Sequence, residues 1–234
     1  MMDVAVACSR VTRRFGHVFA LRNVTFEATT GTVFGVLGAN GAGKTTLLEV
    51  LAGLQKPTSG TVRILGKTRE EDHLGVKGRV ALLSARTAPY DDLTVGENLH
   101  FFARLHRIFD DRRRNIVVDF WARRFGLDPW IDDPVRILSA GWKRKVELAR
   151  CMLHSPRVLM LDEPFAGLDF GSRKALVEEL RRLATEDGVT SLLATHELDL
   201  AAQACHEAIV LRRGAVARFL TDSELRTGNL GELL

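Results

Sequence analysis

The stretch Gly38-Ala39-Asn40-Gly41-Ala42-Gly43-Lys44-Thr45 decides the fold. Its spacing, G-x-x-x-x-G-K-[ST], is that of a loop that cradles phosphates. A triphosphate needs many hydrogen-bond donors within a short radius. Backbone N–H groups supply them only where the chain curls tightly, and Gly38, Gly41 and Gly43 permit the angles and the close approach that this requires. Lys44 is placed to reach the β- and γ-phosphates, and the Thr45 hydroxyl to ligate Mg²⁺. Ala39, Asn40, Ala42 and Thr46 complete the candidate nucleotide site. On one side, Thr32-Val33-Phe34-Gly35-Val36-Leu37 reads as a buried strand. On the other, Thr46-Leu47-Leu48-Glu49-Val50-Leu51 reads as a helix whose N-terminus favours anionic phosphates.

The rest of the chain bounds this reading. Its 234 residues are 46% hydrophobic, enough for one large α/β domain or two small ones. A net charge of +4 is too weak to argue for nucleic acid. Cys8, Cys151 and Cys205 form no C-x-x-C pair, so neither zinc nor a disulfide framework is expected, and a reduced cytosolic compartment fits. The amino terminus lacks a secretory pattern, and no window reaches the roughly 18 apolar residues that a membrane span needs. Any membrane role has to run through a partner.

Around the loop, residues 4–11 and 18–27 read as short strands about a turn at Gly16, and Thr61–Leu65 as another. Together they suggest an antiparallel layer. From about 94 to 151 the pattern turns helical. Thr94-Val95-Gly96-Glu97 is a capping box, Leu99, Phe102 and Leu105 recur at helical spacing, and Asp110 to Arg114 opens a second helix ending near Gly126. After Ser139 helix and strand alternate, and Val158–Leu161 and Ser191–Ala194 are apolar runs suited to a buried parallel sheet. The expected fold is α/β: a mostly parallel sheet with flanking helices, an antiparallel layer and a helical insertion, all in one domain over residues 1–234.

Carboxylates follow one of the apolar runs. Asp162 ends it and can hold Mg²⁺ opposite Thr45, while Glu163 extends one residue further and can act as general base toward water. Ser139, in Leu138-Ser139-Ala140-Gly141-Trp142, suits a helix N-cap. Small residues behind it would let a phosphate approach that helix end.

Taken together, these segments resemble the ATP-binding-cassette (ABC) transporter ATPases over nearly the whole chain. Leu138 to Trp142 resembles the family signature LSGGQ. Ala166-Gly167-Leu168-Asp169 looks like its D-loop, and His196, in Ala194-Thr195-His196-Glu197, like the switch histidine. Phe15 matches the aromatic that stacks on adenine, and a core phenylalanine is the competing reading. The resemblance implies a head-to-tail homodimer in which Ser139, Gly141 and Asp169 serve the partner's nucleotide. It further implies ATP and Mg²⁺ as ligands, integral membrane subunits as partners, no nucleic acid, and a peripheral position on the cytoplasmic face of the cell membrane. Exporter-type cassettes match best, with a narrower likeness to the haem-exporter ATPase of cytochrome c maturation. Drug, antibiotic or lipid export is the alternative. From a different class, a non-transport cassette or a non-hydrolysing regulatory subunit stays open.

Two departures stand out. The family's Mg²⁺-contacting glutamine is missing, and its place falls at Ala85 or Arg86. Trp142 also replaces the signature's terminal glutamine. Arg104, Arg107, Arg112, Arg113, Arg114, Arg123 and Arg124 gather in the insertion. The simplest expectation for most is a solvated face neutralised by Asp110, Asp111 and Asp119, with an anionic membrane or partner as the other reading.

Overall fold

The computed structural model describes residues 3–84 and 88–227. The chain opens with β1 (Val4–Phe15) and β2 (Val18–Thr29). Both strands run past their expected ends at Val11 and Glu27. Bulges between Cys8 and Arg14 break the in-out alternation of β1, so its hydrophobic pattern stops before the pairing does, while β2 simply adds buried Ala28 and half-buried Thr29 beyond Glu27. Next come β3 (Val33–Leu37), the glycine-rich loop, α1 (Lys44–Leu51), β4 (Ser59–Ile64), α2 (His73–Gly78) and β5 (Val80–Leu83). The helical stretch holds α3 (Val95–Leu105), α4 (Asp111–Arg124), two short 3-10 turns and α5 (Ala140–Met152). Alternation then resumes with β6 (Val158–Asp162), α6 (Phe170–Thr185), β7 (Thr190–Thr195), α7 (Leu198–Ala204), β8 (Glu207–Arg212), β9 (Ala215–Leu220) and α8 (Asp222–Thr227).

The main sheet has the order β5-β6-β7-β3-β8-β9, parallel except for β9, which returns antiparallel to β8. A separate antiparallel sheet has the order β2-β1-β4. Alternate residues of the parallel strands feed two cores. Val33 and Leu37 of β3, with Leu159 and Leu161 of β6, pack with the helical insertion and α6. Phe34 and Val36, with Val158 and Met160, pack with α1 and the antiparallel sheet. Burial on both faces is why these strands read as continuous apolar runs. Phe34 stacks on Phe26 of β2 at 5.1 Å, joining the two sheets.

Local chemistry fixes the insertion's helix starts. Thr94 Oγ1 accepts from the Glu97 N–H, and a Glu97 carboxylate oxygen accepts from the Thr94 N–H, which is the expected capping box. Asp110 caps α4. Five of the seven arginines here are exposed, as expected for most of them, while Leu105 and the other two arginines depart from the pattern. Leu105 shares a helical repeat with buried Leu99, yet it is 61% exposed at the last turn of α3. Arg114 and Arg124 are not solvated. Arg114 is 5% exposed, pairs with Asp111, and donates to the Ile108 and Phe109 carbonyls. Arg124 reaches Glu179 at 2.9 Å, Asp187 at 3.2 Å and Glu186 at 3.4 Å, tying α4 to α6. Position in the sequence could not separate these two arginines from their exposed neighbours, because the carboxylates that hold Arg124 lie on a distant helix.

Removing Arg124 would leave Glu179 with Arg182 alone, at 3.5 Å, and would take away the stronger of the two charges that pull its carboxyl down against burial. The pair retains some exposure, so Arg124→Ala should cost about 2 kcal/mol, below the roughly 3–5 kcal/mol for breaking a fully buried pair. Urea unfolding of the two proteins measures it.

Candidate nucleotide site

The carboxyl ends of β3, β6 and β7 meet at one edge of the sheet. Register puts Leu37 beside Thr195 and Asp162 beside Ala194. The glycine-rich loop leaves β3, Asp162 and Glu163 leave β6, and Thr195 and His196 leave β7. A crevice at strand carboxyl ends is where open α/β sheets bind ligands.

The loop is held from behind. Gly43 has φ +108°, and a Cβ there would come within 2.6 Å of the Ala20 carbonyl oxygen, so only glycine fits. The Gly214 N–H, in the β8–β9 turn, donates to the Ala42 carbonyl at 2.9 Å. This brace was not read from the sequence, because nothing in the β8–β9 segment marks it as a neighbour of the loop.

Lys44 begins α1 and is 6% exposed. Its Nζ donates to the carbonyls of Gly38 at 2.7 Å and Ala39 at 3.3 Å, and it pairs with Glu163 Oε1 at 3.0 Å. The other Glu163 oxygen accepts from Thr195 Oγ1 at 3.1 Å and lies 3.1 Å from His196 Nδ1. Glu163 has a left-handed backbone, φ +46°, pinned by its N–H to the Ala194 carbonyl at 2.9 Å. Such a conformation in a non-glycine residue costs of order 1–3 kcal/mol and persists where the surroundings over-determine it. Burial works to raise the Glu163 pKa, but His196 and Lys44 outweigh it and hold the carboxyl below its ordinary value.

Asp162 Oδ2 accepts from Thr45 Oγ1 at 2.8 Å. Its other oxygen, Oδ1, is buried without a hydrogen-bond partner. Burial pushes the Asp162 pKa up, with Thr45 opposing. A bare carboxylate oxygen beside a hydroxyl is the donor set of a hard divalent cation, so Asp162 and Thr45 fit Mg²⁺.

The remaining expected residues lie in two other places. Phe15, at the end of β1, is 45% exposed, so the core reading is wrong; the Arg13 guanidinium lies 4.4 Å from its ring centre. Ser139 caps α5 and Asp169 caps α6. Gly141 lies against α6, where a Cβ would come within 2.3 Å of Ser172 Oγ. That hydroxyl donates to Asp169 at 2.8 Å, so Gly141, Ser172 and Asp169 form one cluster. No hydrogen bond or ion pair among the described residues joins this cluster to the phosphate loop. Trp142 turns into its own subunit, against Trp130 at 5.6 Å and under the Lys145 ammonium at 4.1 Å. Ala85 and Arg86 lie outside the described residues.

Asn98 was missed. It is 1% exposed; its Nδ2 donates to the carbonyls of Tyr90, Thr94 and Leu93, and its Oδ1 accepts from the Tyr90 N–H. It thereby folds the segment 90–94 onto α3. An asparagine on the apolar face of an amphipathic helix was the available signal. Beside it lies an open groove of 420 Å³ lined by Tyr90, Asp91, Asp92, Leu93 and Phe101.

The ABC transporter family matches residues 21–166. The chain is 35% identical over 232 residues to the daunorubicin resistance ATP-binding protein DrrA3 of Streptomyces coeruleorubidus, spanning 99% of this chain and 73% of that protein. It is 33% identical over 204 residues to the uncharacterized ABC transporter ATP-binding protein YdbJ of Bacillus subtilis (strain 168), covering 87% of this chain but only 65% of YdbJ. An ATP-binding cassette solved as a dimer in a post-hydrolysis state with ADP and Pi superposes with a TM-score of 0.80 at 24% identity, over 93% of this chain and 98% of that one. The glycine-rich loop, the carboxylates Asp162 and Glu163, His196 at the end of β7 and the cassette fold agree with these matches: the chain belongs to the ABC transporter family and is an ATPase of the ABC type.

Proposed function

We propose that this cassette hydrolyses ATP as one half of a homodimer and powers a drug- or antibiotic-type exporter through separate membrane subunits. The observation that carries the hydrolytic reading is Glu163, held in one place by Lys44, Thr195 and His196. The exporter reading draws on the likeness to a drug-resistance protein along 99% of the chain. Haem export, the narrower likeness of the sequence, is not supported by the relatives compared, which fit drug or antibiotic export better.

In this reading residues 1–234 act as one cassette, with the insertion of about 94–151 as its coupling part. The loop from Gly38 to Thr46 binds the phosphates through its N–H groups, and Phe15 offers a ring face to adenine. Lys44 leaves Glu163 and the loop carbonyls for the β- and γ-phosphates. Glu163 then takes the proton of the attacking water as the γ-phosphorus bond to the bridging oxygen breaks, releasing ADP and phosphate. His196 orients Glu163 from the opposite side. Asp162 and Thr45 would hold Mg²⁺, which shields phosphate charge when bound. Ser139, Gly141 and Asp169 serve the partner's nucleotide, with Asp169 acting from its capping position on α6.

Ala85 carries no side-chain oxygen where the family has glutamine. Turnover is therefore expected to need high Mg²⁺, and Ala85→Gln to lower the midpoint of an Mg²⁺ titration. Equal midpoints would mean that other oxygens already complete the shell.

The cassette lies on the cytoplasmic face of the membrane, docked through the groove of Tyr90, Leu93 and Phe101. No helix among the described residues is long and apolar enough to cross a membrane. Leu99 is unsuitable for testing this dock, because it is fully buried in the core, where disruption would unfold the helix. Tyr90→Ala with Phe101→Ala should instead cut co-purification with membrane subunits severalfold while basal turnover stays within about twofold, since truncating exposed aromatic anchors removes binding energy at a contact. Activity stimulated by DNA or ribosomes, with no membrane association, would overturn the transport reading.

A further inference from the structure

The helical hairpin formed by α3 and α4 ends in a tip that combines exposed apolar side chains with arginines. Leu105 is 61% exposed and Phe109 72%, while the outer face of α4 adds Ile116 at 60% and Phe120 at 54%. The end of α3, the turn and the start of α4 also carry four exposed arginines: Arg104, Arg107, Arg112 and Arg113. None of the four has a carboxylate partner among the described residues. The segment's own acids do not neutralise them. The Asp110 side chain accepts from the Arg113 backbone N–H, and Asp111 is taken by buried Arg114, leaving Asp119.

The tip is also braced. Arg114 clamps the Ile108 and Phe109 carbonyls from inside. The Ile108 N–H donates to the Ala103 carbonyl and the Arg107 N–H to the Arg104 carbonyl, the paired bonds that close a helix C-terminus. Arg107 takes the left-handed position of that closure, φ +64°, where glycine is the usual occupant.

We infer that this tip docks on a lipid bilayer bearing anionic headgroups. Guanidinium groups paired to headgroup phosphates and apolar side chains sunk at the interface match such a surface in both charge and polarity. The placement is consistent: Leu105 lies one turn beyond Phe101 on the same face of α3, and Phe101 lines the groove of Tyr90 and Leu93. The inference rests on the proposed docking through that groove for its biological setting. The tip would set the tilt of the helical insertion against the membrane while the groove holds the membrane subunit.

The test uses the full chain and vesicles without any membrane subunit. Wild-type protein should co-sediment with phosphatidylcholine vesicles containing phosphatidylglycerol, should not do so with phosphatidylcholine alone, and should be released by salt. Arg112→Glu with Arg113→Glu should lower the vesicle affinity at least about tenfold, given the contribution of each basic residue near an anionic surface. Phe109→Ser should lower it with no change in the charge count. Both variants should keep the wild-type unfolding midpoint and basal turnover. Absence of anionic-vesicle binding, or equal binding by all three proteins, overturns the inference. So does loss of co-purification with membrane subunits in the arginine variant without vesicle binding by the wild type, which would assign the tip to an acidic protein partner. Failure of vesicle binding while Tyr90→Ala with Phe101→Ala still impairs co-purification leaves the exporter reading standing.

Discussion

Lys44→Ala abolishes ATP turnover and strongly weakens nucleotide binding. Lys44 is the cation at the mouth of the phosphate loop, and its Nζ lies on the Gly38 carbonyl and on Glu163. Removing one charged donor from a preorganised site typically costs about 10²–10³ in rate. Here the loss is expected at the upper end or beyond, because the same side chain also restrains the base. Without it Glu163 keeps only Thr195 and His196, and its carboxyl rises toward its ordinary value, since Lys44 is one of the groups that hold it down. Phosphate release and binding of a fluorescent ATP analogue measure both effects. A variant that retains wild-type turnover would mean that the nucleotide site lies elsewhere.

Glu163→Gln should bind Mg-ATP and turn it over at least about 10²–10⁴ times more slowly, the range for loss of a general base. The carboxamide is nearly isosteric and its oxygen can still accept from Thr195 Oγ1, so the left-handed turn at position 163 should survive. What it cannot do is take a proton from water or neutralise Lys44. Lys44 is then freer for phosphate, and ATP affinity should hold or rise. With hydrolysis stalled, a dimer closed over two nucleotides should accumulate, visible by size-exclusion chromatography with ATP and absent without it. A monomer under both conditions would count against the head-to-tail arrangement of the isolated subunit and against the trans roles of Ser139, Gly141 and Asp169.

Much of this site was legible in the sequence because its pieces are local. A phosphate loop is eight consecutive residues between a strand and a helix. The Asp162-Glu163 pair follows an apolar strand directly, and the caps at Thr94 and Ser139 need only the residues of one helical turn. In each case the chemistry and the signal occupy the same few positions, so reading them required no knowledge of distant contacts.

Other features had no local signal. Periodicity grouped Leu105 with Leu99, although one faces solvent and the other the core, because a hairpin tip leaves the last turn of α3 uncovered. Seven arginines looked alike, and only the approach of α6 covered most of Arg124. Asn98 was an ordinary polar residue until the segment 90–94 folded over it.

The sequence by itself determined that a strand–loop–helix unit with a phosphate-loop pattern lies at the centre of the fold, which carboxylates accompany it, and where α3, α4 and α5 begin. Tertiary structure alone decided what those groups touch: Glu163 set between Lys44 and His196, the phosphate loop braced by the β8–β9 turn, and the arginines sorted into buried clamps and exposed tips. The physical reason is range. Hydrogen bonding within a turn and hydrophobic period act over a few residues, whereas ion pairing and burial depend on which distant elements the sheet order brings together.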